Sequence, residues 1–489
     1  MIKKIADTRD DGIRFGLLAK LVFAAAVTIL VFGASNVMAG GFALSGVGSK
    51  AINMGGAFRG LADDWSAAYW NPAGLTQIEH SEINAMLVAI SPKPEFTPNI
   101  LHYGHEVGYR NGLRLYNNEE TKFALDASGF LRLKNLKGVV AGVAVYVPDG
   151  LGSEWDLFNP SNLELNESFP VYDHKADLYV IDIHPTIAKA FMEDKLSLGA
   201  GLSFMRGKVT FRKTYLKPSG IPVPHENLII DSEMNGDGWG FGANFGALYK
   251  ISPKLQFGVS GRTPATIKLD GTADQELYTY NNEDLKNILL SNVFTAADSA
   301  RILFLFDPNN HTASPKAKTD FKTPGDIGFG IAIKPSEKLT FTGDIAYTFW
   351  GSIDSIYLKL TGTDPSGAPA QNTAIVLNWK NTLRFSAGVE YLPVKQLALR
   401  LGYYLDPTPV PDETFTPLIP DSGDKNSINM GAALKIRKME LSYNFEYLMF
   451  KDRTITTSED VNGDGNFDNY PGVFKSKLYA SHVSLTYRF

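Results

Sequence analysis

The 489-residue chain contains no cysteine. A disulfide framework, a thiolate metal site and thiol catalysis are therefore excluded. The chain also lacks the G-x-S-x-G, HExxH and glycine-rich phosphate-binding motifs, and no nucleophile stands at a characteristic spacing from His174, His184 or His482, so no enzyme centre can be recognised. The net charge of −5 argues against nucleic acid as a partner, because a nucleic-acid-binding protein needs a basic face.

Long apolar runs are almost absent as well. The exception, Leu21 to Phe32, lies within residues 1–39, follows several basic residues and ends shortly before Val37-Met38-Ala39. This pattern is typical of a secretory signal peptide, with an uncleaved anchor helix as the alternative. Elsewhere no stretch approaches the roughly 18 apolar residues of a spanning helix. A membrane protein without such helices must be a closed barrel, because every backbone polar group in lipid needs a partner.

Strict alternation of apolar and polar residues favours that barrel. In the last nine residues, Val483, Leu485 and Tyr487 share one strand face with the terminal Phe489, while His482 and its polar successors share the other. A single strand at the edge of a soluble sandwich could alternate in the same way, but the pattern recurs near 239–249, 327–333 and 441–449. A transmembrane barrel strand has this period, with lipid on one side and a polar lumen on the other.

Short turns and long connections also alternate along the chain. We expect tight turns at Asn135–Lys137, Glu193–Lys195, Ser252–Lys254, Pro335–Lys338, Leu392–Gln396 and Arg437–Lys438. Long connections are expected at 97–121, 155–176, 213–236, 271–321, 361–373, 407–425 and 455–472. Outer-membrane barrels have this asymmetry. The sequence therefore predicts a closed antiparallel β-barrel of about 14 strands over residues 78–489.

Residues 40–77 follow neither a strand nor a helix period. This stretch is rich in Gly, Ala and Ser, so it cannot build a core alone and needs an enclosure. We predict that it is a plug inside the barrel. Within it, Pro72 should direct Asn71 out of the helical region and into a turn.

The plug carries a family resemblance. GGFALSGVGS and ADDWSAAYWNPAGL resemble the plug, or hatch, of the FadL/TodX family of outer-membrane transporters for hydrophobic compounds, and Asn71-Pro72-Ala73 matches its NPA signature. GDGWGFGANFGALYKIS (236–252), NWKNTLRFSAGVEY (378–391) and DPTPVPDETFTPLIPD (406–421) resemble the same family. The resemblance implies fourteen strands, the outer membrane of a Gram-negative bacterium, no enzymatic activity and no cofactor. Long-chain fatty acids and aromatic or alkane hydrocarbons are both compatible cargoes.

The resemblance also implies partners. We expect a monomer that is surrounded by outer-membrane lipid and lipopolysaccharide and carries a hydrophobic small molecule. The rivals from other classes are a general aqueous porin and a surface enzyme or adhesin.

Lumen-facing charges are the first candidates for a binding site. Strand parity gives Arg262, Asp344, Lys380, Arg384, Glu390, Arg400 and Glu446. Either these charges pair with one another and anchor the plug, or one or two bases meet a substrate carboxylate. For the second role we expect Lys380 and Arg384. Lys208 fits by resemblance, although its parity directs it toward lipid.

Plug residues are further candidates. Phe42 is the first large apolar side chain after the expected mature N-terminus, so it could occupy the apolar pocket until ligand arrives. Asp63 and Asp64 are expected to pair with lumen arginines or lysines.

Pro148 and Gly150 interrupt an otherwise regular strand at 138–155. Pro removes a ladder donor. The strand could end here at the rim, or, as the resemblance implies, it could be kinked and open a lateral gate in the wall.

Two loops complete the candidates. Asp460, Asn462, Asp464 and Asp468 fit positions of a calcium loop, but Pro471 stands where the bidentate Glu belongs. The loop is therefore either a calcium site or a solvated hairpin turn. Residues 285–306 could form one or two short amphipathic helices, which either pack on the rim or offer an apolar landing groove.

Overall fold

The computed structural model describes residue 41 and residues 43–489, except 102–107, 119, 134, 161–162, 221–224, 226, 293–294, 420, 422 and 464–466. The expected signal peptide, Phe42 and Asp464 lie outside the described residues. Within these ranges, no helix combines the length and the apolar character needed to cross a bilayer.

Most of the described chain is β-strand. The strands are β1 (Glu82–Pro92), β2 (Glu95–Pro98), β3 (Leu115–Tyr116), β4 (Lys122–Arg132), β5 (Val139–Trp155), β6 (His174–Phe191), β7 (Leu196–Pro218), β8 (Asn227–Ser252), β9 (Leu255–Arg262), β10 (Ala265–Tyr278), β11 (His311–Ala313), β12 (Lys316–Thr323), β13 (Asp326–Ser336), β14 (Leu339–Thr348), β15 (Ser355–Thr361), β16 (Thr373–Val376), β17 (Thr382–Val394), β18 (Leu397–Asp406), β19 (Lys425–Ile436), β20 (Met439–Phe450), β21 (Arg453–Ile455), β22 (Gly472–Lys475) and β23 (Lys477–Arg488).

The wall is a closed antiparallel barrel of 14 strands, as predicted. It closes because β1 pairs with β23 on one side and with β4 on the other. Four wall strands are each built from two segments, namely β9 with β10, β12 with β13, β14 with β15, and β16 with β17. Two of the interruptions contain Pro264 and Pro324, which have no N–H to give to the ladder.

The two faces of the wall differ as the alternation predicts. Outward side chains such as Phe241 (65% exposed) and Leu485 (47% exposed) are apolar and exposed. Inward neighbours such as Asn444, His482 and Ser484 are polar and buried. The strands therefore present hydrocarbon to lipid and hydrogen-bonding groups to the lumen.

The six short turns are confirmed, since each predicted turn lies between two consecutive wall strands. Two long connections are shorter than expected. β7 continues to Pro218 and β8 begins at Asn227, so most of 213–236 is strand; β10 and β12 likewise extend into 271–321. The outward residues of these strand extensions are charged rather than apolar. The sequence pattern therefore predicted loops where the structure has strands.

Helices are short. They are α1 (Ser49–Asn53), α2 (Ala67–Trp70), α3 (Glu283–Ser291), α4 (Ala296–Leu305) and the 3-10 helices Pro72–Gln77, Trp350–Ser352 and Asp412–Thr414. The two helices at 285–306 are confirmed: Asn282 caps α3 and Thr295 caps α4 through their side-chain oxygens. The outer loops also form a small second sheet of β21, β22, β2 and β3.

Candidate functional site

The N-terminal segment lies against the inward face of strands all around the ring. Helix α1 contacts β18, β19, β20 and β23, and the 3-10 helix Pro72–Gln77 contacts β5, β6, β7 and β8. The side chains of Met54, Phe58 and Leu61 are fully buried. Gly55 has φ +67°, and a Cβ added there would lie 2.6 Å from the Tyr403 backbone, so only glycine permits this approach.

Two strand carboxylates hold the middle of this segment. The Arg59 guanidinium donates to Asp326 Oδ1 (2.8 Å). The backbone N–H groups of Phe58 and Arg59 donate to Asp344 Oδ2 at 3.0 and 2.7 Å. Arg262 also lies 3.5 Å from Asp326. Arg59, Arg262 and Asp326 therefore form a compact charge group between segment and wall.

Asn71 ties the NPA turn to its surroundings. Its backbone is extended (φ −159°, ψ 98°), which is the conformation expected before proline. The side-chain amide donates to the carbonyls of Arg59 (2.8 Å) and Ala247 (3.1 Å), and its oxygen accepts from the N–H of Ala73 (3.2 Å). Asn71 thus connects two parts of the N-terminal segment with strand β8.

The expectation for Asp63 and Asp64 was wrong. Asp63 pairs with Lys50 of the same segment (2.8 Å), not with a wall cation, and Lys50 in turn lies 3.6 Å from Glu390 of β17. Asp64 accepts from the N–H and the hydroxyl of Ser66 at 2.9 and 2.6 Å. Burial raises the pKa of Asp64, while these hydrogen bonds oppose the rise. Sequence parity describes wall strands only, so it could not show these contacts within the segment.

Most of the buried lumen charges contact an opposite charge or a hydroxyl group. Arg400 donates to Glu390 (2.7 Å) and lies 3.8 Å from Glu440. Glu440 accepts from Arg488 (2.8 Å). Glu446 accepts from the hydroxyls of Tyr404 (2.9 Å) and Ser427 (2.7 Å).

Arg384 is the exception. Its guanidinium lies 3.8 Å from the centre of the Tyr404 ring and donates to the carbonyls of Ser45 (3.3 Å) and Gly55 (3.5 Å). Within the part of the chain that the structure describes, no carboxylate lies within 4 Å of it, and its buried Nε has no hydrogen-bond partner. Arg384 lines a cavity of about 90 Å³ together with large apolar side chains such as Trp70, Tyr146 and Trp350. Charged side chains line the same cavity, namely Arg59, Asp149, Asp182, Arg262, Asp326 and Asp406. We call this space the inner cavity.

The structure places Lys380 and Lys208 away from the inner cavity. β17 begins at Thr382, so strand parity does not apply to Lys380, whose side chain is exposed outside the strand. Lys208 is exposed on the outward face of β7, in agreement with its parity. Neither lysine lines the inner cavity.

An apolar cavity lies farther along the same strands and was missed by the sequence analysis. It has a volume of about 50 Å³ and is lined by residues that include Phe211, Met234, Phe321, Ile356 and Leu358. We call it the outer cavity. Phe321 of the outer cavity and Met205 of the inner cavity belong to one continuous cluster of buried apolar side chains.

Lys213 lines this outer cavity. Its ammonium lies 5.4 Å from the ring centre of Tyr215 and 5.5 Å from that of Tyr470. Among the described residues, no carboxylate lies within 4 Å of it. Lys213 lies an even number of residues from Met205 and Val209, which face inward on β7. This spacing in the sequence could have identified Lys213 as a lumen residue.

The wall is incomplete beside Pro148. Pairing between β4 and β5 stops at Ala127 and Val145, although β5 continues to Trp155. On its other side, β5 has a bulge in which Val147 and Pro148 stand opposite a single residue of β6. Pro148 is therefore not a strand end. Gly150 is already back in register, opposite Tyr179.

The N-terminal segment covers part of this unpaired edge. Ala43 forms an antiparallel bridge with Asp149, and the Leu44 N–H donates to the Pro148 carbonyl (3.0 Å). On the β4 side, the Asp126 carboxylate accepts from the Val147 N–H (3.3 Å). The Asp126 side chain thus crosses from β4 to β5, and Ala43 and Leu44 pair with the free edge of β5.

The loop at 460–468 is only partly described. Asp460 accepts from the Gly463 N–H (2.8 Å), and Asp468 accepts from the Val461 N–H (2.8 Å). Among the described residues no group of three or more metal-ligating side chains is found. Because Asp464 lies outside those residues, the calcium site stays a prediction.

The model of the family described as outer membrane protein transport protein (OMPP1/FadL/TodX) matches residues 30–489, which is nearly the whole chain. This protein belongs to the FadL/TodX family. Members of the family transport hydrophobic small molecules through the outer membrane and are channels rather than enzymes. This FadL/TodX protein is accordingly an outer-membrane protein.

Individual relatives are distant. The long-chain fatty acid transport protein of Escherichia coli is 22% identical over 423 residues, which cover 83% of this chain and 85% of the relative. A FadL homologue from Pseudomonas aeruginosa has a TM-score of 0.72 at 19% identity, with coverage of 92% and 100%. The toluene transporter TodX of Pseudomonas putida has a TM-score of 0.67 at 14% identity, with coverage of 91% and 99%. At these identities the solved structures share the fold of this FadL/TodX protein.

Proposed function

We propose that this protein takes up long-chain fatty acids passively through the outer and inner cavities. A long hydrocarbon chain gains about 25 cal/mol for each Å² that it removes from water. A sequence of apolar cavities supplies that free energy where an aqueous pore does not. Both the outer and the inner cavity have walls with large apolar side chains, and they follow one another along the same strands.

The observation that carries the choice of cargo is Arg384. Arg59 and Arg262 share Asp326 as an ion-pair partner, whereas among the described residues Arg384 has no carboxylate within 4 Å and its buried Nε has no hydrogen-bond partner. A guanidinium in such a site can bind a carboxylate through charge-assisted hydrogen bonds. Lys213 offers a second cation in the outer cavity. A carrier of toluene or alkanes has no use for either charge.

The test is to replace each cation with methionine and to measure binding of oleate and of a long-chain alkane. For Arg384→Met and Lys213→Met we expect oleate to bind about ten- to a hundredfold more weakly, which corresponds to a charged hydrogen bond of about 1.5–3 kcal/mol. Alkane affinity should change little, because methionine keeps the apolar stem.

Lys380→Met is the matched control, since it removes the same charge at an exposed position that lines neither cavity. An equal loss for oleate and alkane in Arg384→Met and Lys213→Met would contradict the carboxylate role. Hydrocarbons would then be the better assignment of the cargo.

We further propose that the cargo leaves sideways, between β4 and β5. A hydrophobic solute gains nothing by entering the aqueous periplasm but keeps its transfer free energy by moving into the membrane. The end of β4–β5 pairing at Val145, the bulge at Pro148 and the position of both beside the inner cavity support this route. The residues at Ala43 and Leu44 would have to leave the β5 edge for the cargo to pass.

A further inference from the structure

Two rows of charge cross the outward face of the extended strands. The upper row comprises Lys208, Asp237, Asp270, Lys318 and Lys359, which stand opposite one another on β7, β8, β10, β12 and β15. The lower row comprises Arg206, Trp239, Lys268, Asp320 and Tyr357 on the same strands. Lys322 follows one step below on β12. Together with Trp239 and Tyr357, these charges form what we call the outer charge patch.

The patch begins where the lipid-facing surface ends. Phe204 and Phe241 are exposed on the outward face and stand opposite each other, and Trp239 (45% exposed) belongs to the patch itself. Exposed aromatic side chains form a girdle at the membrane interface. Lys208 lies four residues beyond Phe204 on the same strand, or about 13 Å along it. The patch therefore lies at the height of the lipid head groups.

Four of the six cations in the patch are not in an ion pair among the described residues. Arg206 pairs with Asp237, and Lys318 pairs with Asp270 (2.6 Å). Lys208, Lys268, Lys322 and Lys359 are exposed, and among the described residues no carboxylate lies within 4 Å of any of them.

The positive charge is local. The patch, which includes Lys322, has six cations and three carboxylates, whereas the whole chain carries a net charge of −5. The outward positions of β18, β19 and β20 hold uncharged residues such as Tyr403, Ile428 and Tyr443. The described wall therefore carries its outward charge unevenly, with an excess of cations on the neighbouring strands of the patch.

We propose that the outer charge patch binds the phosphate groups of lipopolysaccharide in the outer leaflet. Phosphate groups are the anions at head-group height, and lysines on neighbouring strands about 4.8 Å apart can share one phosphate. The acyl chains of the same molecule would lie on Phe204 and Phe241 below. This lipid contact is independent of the fatty-acid route inside the barrel.

The experiment compares three purified proteins in detergent. The patch variant is Lys208→Gln with Lys268→Gln, Lys322→Gln and Lys359→Gln. The control is Lys195→Gln with Lys254→Gln, Lys338→Gln and Lys438→Gln, which removes four exposed lysines from the short turns at the opposite end. Binding of lipopolysaccharide is measured by native mass spectrometry, and folding by thermal unfolding.

We expect the patch variant to bind at least about tenfold more weakly than wild type, because each cation near an anionic surface contributes independently. The control should bind like wild type. Dephosphorylated lipopolysaccharide should bind the wild-type protein as weakly as intact lipopolysaccharide binds the patch variant. The comparison of intact with dephosphorylated lipopolysaccharide uses only the wild-type protein, so it tests the proposal even if the patch variant fails to fold. Equal binding by patch variant and control, or full affinity for the dephosphorylated lipid, would overturn the proposal.

Discussion

At the scale of single residues, the neighbours of each lumen charge determine whether it is paired or remains available to a ligand. Glu390 pairs with Arg400, and Asp326 pairs with both Arg59 and Arg262. Arg384 lies on the same inward face as Glu390 but contacts an aromatic ring and two carbonyls instead. Glu390 and Asp326 thus lie in ion pairs within the barrel, and Arg384 is the charge for which we propose a role in binding the cargo.

Asp326→Asn should loosen the N-terminal segment. The substitution leaves two buried guanidinium groups facing a neutral amide, and breaking a buried ion pair costs about 3–5 kcal/mol. We expect a lower midpoint of thermal unfolding and a higher conductance in planar bilayers, because the segment no longer closes the lumen as tightly.

Glu193→Gln in an exposed short turn removes the same charge and is the control. If Asp326→Asn conducts and melts like this control, the charge group at Arg59 does not hold the segment.

At the scale of elements, β5 combines a bulge with an unpaired edge. The bulge turns the strand at Pro148, and the N-terminal segment supplies a partner where β4 does not. A strand edge in a membrane wall is unfavourable unless something pairs with it. The bridge between Ala43 and Asp149 therefore gives the free edge of β5 a backbone partner and holds the N-terminal segment against the wall.

Ala43→Cys with Asp149→Cys should lock this bridge. Residues directly opposite each other in an antiparallel pair have Cα atoms about 4.5–5.5 Å apart, which suits a disulfide, and the chain has no other cysteine. We expect fatty-acid uptake into cells to fall sharply when the pair is oxidised and to return on reduction.

Leu87→Cys with Val483→Cys is the matched control, because these residues form a cross-strand pair on the lipid face. Equal uptake by oxidised and reduced Ala43–Asp149 protein would show that the bridge need not open, and the exit would have to lie elsewhere.

At the scale of the whole molecule, a 14-stranded barrel encloses a buried N-terminal segment. That segment contacts strands around the ring, and the inner and outer cavities beside it are small, with volumes of about 90 and 50 Å³. Neither cavity is a wide aqueous pore.

In a liposome-swelling assay, the protein should therefore admit arabinose far more slowly than a general porin does. Oleate transfer into the same liposomes should proceed without a proton gradient, since transport is proposed to be passive. Swelling at porin-like rates would favour the aqueous porin instead.

Much of the wall was accessible from the sequence, for a physical reason. Alternation of period 2 is a local property, so Val483, Leu485 and Tyr487 reveal their face without any knowledge of neighbouring strands. The six short turns and the two helices near 285–306 were recognised from local signals too. Strand parity misplaced Lys380 because this residue precedes the first residue of β17. The outer parts of β7 and β8 were predicted as loops because their outward residues are charged.

The sequence by itself determined the barrel, its strand faces, its family and therefore its place in the outer membrane, because these depend on patterns within short stretches. Only the tertiary structure decided which charges remain for a ligand. Asp63 pairs with Lys50 of its own segment, and Asp326 pairs with Arg59, which lies 267 positions away in the sequence. Among the described residues, no carboxylate lies within 4 Å of Arg384. A charge is neutralised by whatever lies within about 4 Å of it, and that neighbour is set by how strands close into a ring around the segment rather than by position along the chain.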